Sequence, residues 1–132
     1  MAVPCHDLAV SKAFYTEVIG CSIGRTDTHW IDLNLFGHQF VLHYNGGEKI
    51  KHHRNDVDGK SVPVPHYGVV LSMEEWDQLK NRLLQAKVDF IIEPYIRFEG
   101  QPGEQATMFF LDPTGNALEF KAFKNIGQLF TK

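Results

Sequence analysis

Several features that would place a protein outside the ordinary globular class are missing here. The chain has only two cysteines, Cys5 and Cys21, too few for a disulfide framework. No apolar run approaches the roughly 20 residues a membrane span needs. The N-terminus lacks a basic region followed by an apolar core, so no secretory leader is expected. Cations are not in excess: 13 Lys and Arg stand against 16 Asp and Glu, a net charge of -3, without the basic face that nucleic-acid binding needs. What remains is ordinary. Hydrophobic residues make up 43% and charged residues 22% of 132 positions, which suits one soluble domain with a real core. The expectation is a cytoplasmic protein that binds neither membrane nor nucleic acid.

The chain reads as two similar halves around a different middle. Met1 to Val10 suits a strand, and Ser11 is placed to cap a short helix with Phe14, Val18 and Ile19 on one face and Gly20 at its end. Cys21 to Arg25 suits another strand. His29 to Leu35 and His38 to Tyr44 form a hairpin through Phe36-Gly37. Asn45 to Pro65 holds Gly46-Gly47, a mixed charge run and two prolines, and reads as a linker or surface loop. The pattern then repeats. His66 to Leu71 suits a strand, and Ser72 with Glu75 makes a capping box before the helical stripe of Trp76, Leu79, Leu83 and Leu84. Phe90 to Glu93 suits a strand ended by Pro94. Thr107 to Leu111 and Ala117 to Phe123 form a hairpin around Asp112-Pro113-Thr114-Gly115-Asn116. His6 and His66 open the two halves 60 positions apart. The expected fold is α+β, two tandem β-α-β-β-β modules at 1–45 and 66–123, with a linker loop at 46–65 and a tail at 124–132.

Alternation along the strands assigns faces. Leu118, Phe120 and Ala122 share an apolar side, leaving Glu119 and Lys121 on the other. Tyr67, Val69 and Leu71 oppose His66 and Gly68. Phe40, Leu42 and Tyr44 oppose Gln39, Val41 and His43. Each sheet thus has an apolar back for its helix and a front of imidazole, carboxylate and amide groups. Two such curved sheets meeting front to front would form a metal-binding cup.

These residues carry a family resemblance. His6-Asp7-Leu8, Phe14-Tyr15 and Val18-Ile19-Gly20-Cys21 recur as a pattern, followed by His66-Tyr67-Gly68-Val69 and the run from Met108 through Asp112-Pro113-Thr114-Gly115-Asn116 to Phe120. With them, the chain resembles the vicinal oxygen chelate superfamily: glyoxalase I, bleomycin resistance proteins, fosfomycin resistance thiol transferases and extradiol dioxygenases. The resemblance implies paired modules and places the family's metal positions at His6, His66 and Glu119. A fourth family position falls on Val41, which cannot bind metal, with His43 two residues further along the same face. The resemblance also implies a homodimer, with the cup formed within one chain or between two.

Two imidazoles and a carboxylate make a facial set with positions left for a bidentate substrate. Such N/O ligands accept Fe, Mn, Zn, Ni or Co as the divalent metal ion. Glu119 would serve as ligand and catalytic carboxylate, and His43 as general base or a cross-cup hydrogen-bonding group. Gln39 and Arg97 are candidate substrate-binding residues, Arg97 through its planar fork toward an anion. His52-His53-Arg54 suggests a second metal or anion site, set against the commoner case of solvated loop histidines. Cys5 and Cys21 read as buried small apolar groups. The expected function is a glyoxalase- or dioxygenase-like metalloenzyme acting on a small-molecule substrate with vicinal oxygens. The alternative is a metal-free ligand-sequestering protein of the bleomycin-resistance type.

Overall fold

A computed structural model describes residues 1–132. The first module contains β1 (Ala2–Cys5), α1 (Leu8–Ala13) continuing as a π-helical turn over Phe14–Ile19, β2 (Ser22–Thr26), β3 (Trp30–Leu35) and β4 (His38–Tyr44). Then come β5 (His53–Val57) and β6 (Lys60–Val64). The second module contains β7 (Val70–Leu71), α2 (Met73–Gln85), β8 (Phe90–Arg97), β9 (Gln105–Leu111) and β10 (Ala117–Phe123), before a short 3-10 turn at Ile126–Gln128. The sheets have matching orders, β1-β4-β3-β2 and β7-β10-β9-β8, while β5 and β6 pair only with each other. In both sheets the opening strand is parallel to the closing one and lies at an edge. The two-module α+β fold is therefore present.

Local chemistry explains where the expected boundaries moved. Asp7, not Ser11, caps α1: its carboxylate accepts from the Val10 amide at 3.0 Å, as an N-cap side chain should. The helix therefore starts before Ser11, which ends up inside it with a buried hydroxyl. The Ser72–Glu75 capping box forms in both directions. Pro94 does not end β8. The strand runs through it because β8 is a sheet edge and its register shifts between Ile92 and Tyr95, where a missing amide costs little. The segment 46–65 is more than a linker loop. Asp58 (φ 49°) and Gly59 (φ 76°) turn a β5–β6 hairpin, two successive positive φ values being what a tight hairpin turn demands. The strand expected at His66 to Leu71 is reduced to Val70–Leu71 plus a bridge from Tyr67 to Leu118.

The core joins the modules through their apolar backs. α1 lies on β3 and β4, α2 on β7, β9 and β10, and α2 also packs on the π-helical turn. Buried Leu33, Phe40 and Leu42 of the first sheet belong to one cluster with Trp76, Leu79, Phe110 and Phe120 of the second module. Phe36 meets Phe120 at 6.0 Å and Phe14 meets Phe110 at 6.4 Å between ring centroids, both edge-on, a favoured aromatic geometry. Arg82 of α2 donates to the carbonyls of Val18 and Ile19 at 3.0 and 2.8 Å, satisfying the end of the first helix. Cys5 and Cys21 are free and buried in this core. Within one chain, then, the sheets meet back to back. The front-to-front cup is not formed there, because both apolar backs are taken up by the helices and the cluster they share, which leaves the polar fronts outside.

Candidate functional site

The front of the second sheet gathers the chemistry. Alternation along β10 sends Leu118, Phe120 and Ala122 into the core and leaves Glu119 and Lys121 on the front. They pair in register with Phe109 and Thr107 of β9. Glu119 Oε1 accepts from the Thr107 hydroxyl at 3.2 Å and lies 3.5 Å from Lys121 Nζ. Its other oxygen, Oε2, lies 3.5 Å from His66 Nε2. His66 Nδ1 is 2.9 Å from the Pro63 carbonyl. A carbonyl only accepts, so Nδ1 carries the proton of that bond. In the neutral imidazole the Nε2 lone pair then faces Oε2. Two facing acceptors need a cation or a proton between them, so the geometry fits both an imidazolium–carboxylate ion pair and a two-donor set for a metal ion. The Phe109 and His66 ring centroids lie 5.0 Å apart with the planes at 71°, an edge-to-face contact that packs against the imidazole.

Close backbone approach makes this pairing possible. The Tyr67 amide donates to Ala117 O at 2.9 Å and the Glu119 amide to Tyr67 O at 2.8 Å. A Cβ on the intervening Gly68 would fall 1.6 Å from Glu119 O. Only glycine fits there.

The β5–β6 hairpin forms one wall of a cavity of about 150 Å³ beside this pair, with Val57 and Val62 facing Ile92, Tyr95 and Phe109. A second, more open depression borders His66 and Glu119 from the side of Tyr67 to Val70, along the sheet edge.

Of the other residues singled out by sequence, Arg97 lines the hairpin-walled cavity and the rest lie elsewhere. His6 follows β1, its amide and Nδ1 lying 3.1 and 2.9 Å from the Thr114 hydroxyl. Its Nε2 makes no hydrogen bond in the chain. Thr114 belongs to the Asp112–Asn116 turn, where Asp112 Oδ1 accepts the amides of Thr114, Gly115 and Asn116 at 2.8–2.9 Å. Asp112 Oδ2 accepts from the buried Tyr15 hydroxyl at 2.8 Å. Burial first, and the adjacent Asp112 carboxylate second, push the Tyr15 phenol well above its usual pKa. His43 is exposed on β4, in register with Pro4. Gln39 donates to Asp32 at 3.3 Å on the same front. Arg97 is paired with Asp58 at the hairpin tip. His52 borders an apolar depression with both ring nitrogens buried and without hydrogen bonds. No three His, Cys, Asp or Glu side chains of the chain converge at metal-ligand spacing. His66 and Glu119 are brought together; His6, His43 and Gln39 are not brought to them.

Sequence reasoning missed Thr107, the Pro63 carbonyl and the hairpin residues Asp58 and Lys60. Alternation on β9 could have found Thr107, and the Asp58-Gly59 dipeptide is a hairpin signal.

Comparison with known proteins now bears on this arrangement. The sequence profile described as the Glyoxalase/Bleomycin resistance protein/Dioxygenase superfamily matches residues 1–120. The chain belongs to that superfamily. Among solved structures, the superfamily protein from Alicyclobacillus acidocaldarius has 29% identity and a TM-score of 0.77, with 98% of this chain and 93% of that chain covered. The fosfomycin resistance protein FosX from Listeria monocytogenes has 15% identity and a TM-score of 0.69 over 97% of this chain and 93% of its own. Lactoylglutathione lyase from Agrobacterium tumefaciens has 18% identity and a TM-score of 0.67 over 100% and 94%. These last two share the superfamily fold. No curated protein gives a significant match. No helix is long and apolar enough to cross a membrane.

Proposed function

We propose that this superfamily member is a metal-dependent enzyme of the glyoxalase/dioxygenase type. Its substrate would be a small molecule whose vicinal oxygens chelate a divalent metal. Each site would be built in a homodimer, from His66 and Glu119 of one protomer and His6 of its partner. The observation that carries the reading is the pairing of His66 Nε2 with Glu119 Oε2 at 3.5 Å, with the imidazole proton committed to the Pro63 carbonyl. Both groups are left facing each other as donors to a cation.

Three further observations support the assembly. The sheets meet back to back in one chain, β1 and β7 are edge strands, and His6 Nε2 has no partner at home. The β1 border is itself held by the Asp112–Asn116 turn, Asn116 Nδ2 donating to the Pro4 carbonyl at 2.8 Å, so it is the His6 Nε2 atom that is left to meet another chain. A variant of FosX from Listeria monocytogenes was solved with Mn(II) and 1S,2S-dihydroxypropylphosphonic acid.

In this reading His66, Glu119 and the partner's His6 would hold a divalent metal, which when bound would supply Lewis-acid polarisation of a carbonyl or phosphoryl oxygen or acidification of a hydroxyl. Thr107 and Lys121 engage Glu119 Oε1 and direct the free oxygen inward. Val62, Ile92 and Phe109 line the cavity and exclude water from the substrate. His43 and Gln39, on the front of the first sheet, would enter the cup from the partner, His43 placed to take or return a proton.

The test is subunit mixing. His6→Ala and His66→Ala chains are each expected to lose metal and activity. Mixed and re-associated in equal amounts, they should recover about one quarter of wild-type metal and activity, because half the dimers regain one intact site of two. No recovery, alongside a wild type that binds metal, refutes the shared site. A wild type that takes up no metal favours the metal-free sequestering protein.

A further inference from the structure

The β5–β6 hairpin stands outside both modules, yet it is fastened to the second sheet at both ends. Near the tip, Asp58 and Lys60 flank Gly59 and reach two residues of one face of β8. Asp58 pairs with the Arg97 guanidinium, and Lys60 Nζ sits 4.8 Å from the Tyr95 ring centroid, within cation–π range. Midway, Val62 is 6% exposed and packs with Phe109 and Ala117. At the base, His66 Nδ1–H donates to the Pro63 carbonyl at 2.9 Å. These attachments exceed what a solvated loop requires, and the last of them ends on the imidazole of the metal-site pair.

We propose that the hairpin is the positioning element of His66. The Asp58–Arg97 and Lys60–Tyr95 clasps hold the hairpin down, and the Pro63 carbonyl thereby keeps the imidazole in its Nδ1–H tautomer with Nε2 aimed at Glu119. This rests on the metal-site reading above only for its consequence; the tautomer itself is a property of the metal-free chain. The physical need is plain. Free neutral imidazole in water favours the Nε2–H form, which would point a proton where a ligand lone pair is required. A hydrogen bond from the distal nitrogen to a carbonyl is what fixes tautomer and ring orientation at metal-binding histidines. Arg97 is thus a positioning residue, one nitrogen of its guanidinium engaged by Asp58 at the cavity wall.

The experiment uses nitrogen-15 histidine NMR of chelator-treated, full-length protein at mildly alkaline pH, with His66 assigned through His66→Gln. Mn(II) affinity is measured in parallel. Wild type should show His66 as Nδ1–H. Arg97→Gln and Asp58→Asn should move it toward Nε2–H and weaken Mn(II) binding by roughly 10-fold, the low end of the effect of losing such a partner. If Arg97→Gln fails to fold, Tyr95→Leu releases the second clasp and should act in the same direction. A wild-type Nε2–H tautomer overturns the proposal, and so do folded clasp variants that keep the wild-type tautomer. Wild-type protein that binds no Mn(II) but shows the clasp-dependent tautomer removes the metal-site reading and leaves the positioning intact.

Discussion

Replacing Gly68 with alanine tests whether the strand beside His66 depends on contact with the Glu119 backbone. The added Cβ would lie 1.6 Å from Glu119 O and 2.7 Å from its carbonyl carbon, so one backbone must retreat by about 1.8 Å to reach an ordinary contact of about 3.4 Å. That retreat breaks or stretches three hydrogen bonds, Tyr67 to Ala117, Glu119 to Tyr67 and Lys121 to Val69. At about 1 kcal/mol each, less the few tenths that alanine gains by restricting the unfolded chain, the loss is about 2–3 kcal/mol. For a domain of this size that lowers Tm by about 10 °C. Urea unfolding gives the free energy directly, and Gly24→Ala is the control. There the nearest atom, Asp32 Cβ, is 3.2 Å from the added carbon, a mild overlap expected to cost less than about 1 kcal/mol. Because the displacement also separates His66 from Glu119, metal uptake should fall with stability. A Gly68→Ala protein that unfolds within about 0.5 kcal/mol of wild type would refute the steric reasoning.

Two other perturbations read the core. Burial pushes the Cys21 thiol from 9.0 up to about 11, partly opposed by Arg82. The folded state therefore keeps a proton that the unfolded state releases above pH 9. Stability is intact below that point and should fall by about 2 kcal/mol as pH rises toward 11. Urea titrations of wild type and Cys21→Ala across this range should differ in slope, and parallel curves would contradict the assignment. Tyr15→Phe removes the hydroxyl that donates to Asp112 while Asn116 Nδ2 still reaches the same oxygen at 2.8 Å, so the expected cost is about 1–2 kcal/mol by chemical denaturation.

What could be read from the sequence was whatever is encoded locally. The capping box at Ser72, the Phe36-Gly37 turn and the sidedness of β10 all depend on neighbours a few positions apart, the repeat is a succession of such local patterns, and all of them appear in the structure. The Asp112–Asn116 turn was equally legible, because the Asp112 carboxylate organises its own next four residues. Elements set by longer-range partners were harder to see. Pro94 stays in β8 because that strand is an edge, and edge position follows from sheet order. The hairpin at 53–64 was obscured by its exposed charges, two of which, Asp58 and Lys60, reach across to Arg97 and Tyr95 of β8. The site followed the same rule. His66 and Glu119 sit on neighbouring backbone of one module, so their meeting followed from parity and pairing. Where His6 goes depended on which faces of the two sheets pack together, and alternation alone cannot say whether two apolar backs share a core or each has its own.

The back-to-back core gives mutations two different reaches. A substitution at Phe110 or Leu79 is felt entirely by the molecule that carries it, since the interior closes within a single polypeptide. A substitution on either outward front leaves that interior untouched and changes only exposed polar surface, so its effect should appear in binding rather than in stability.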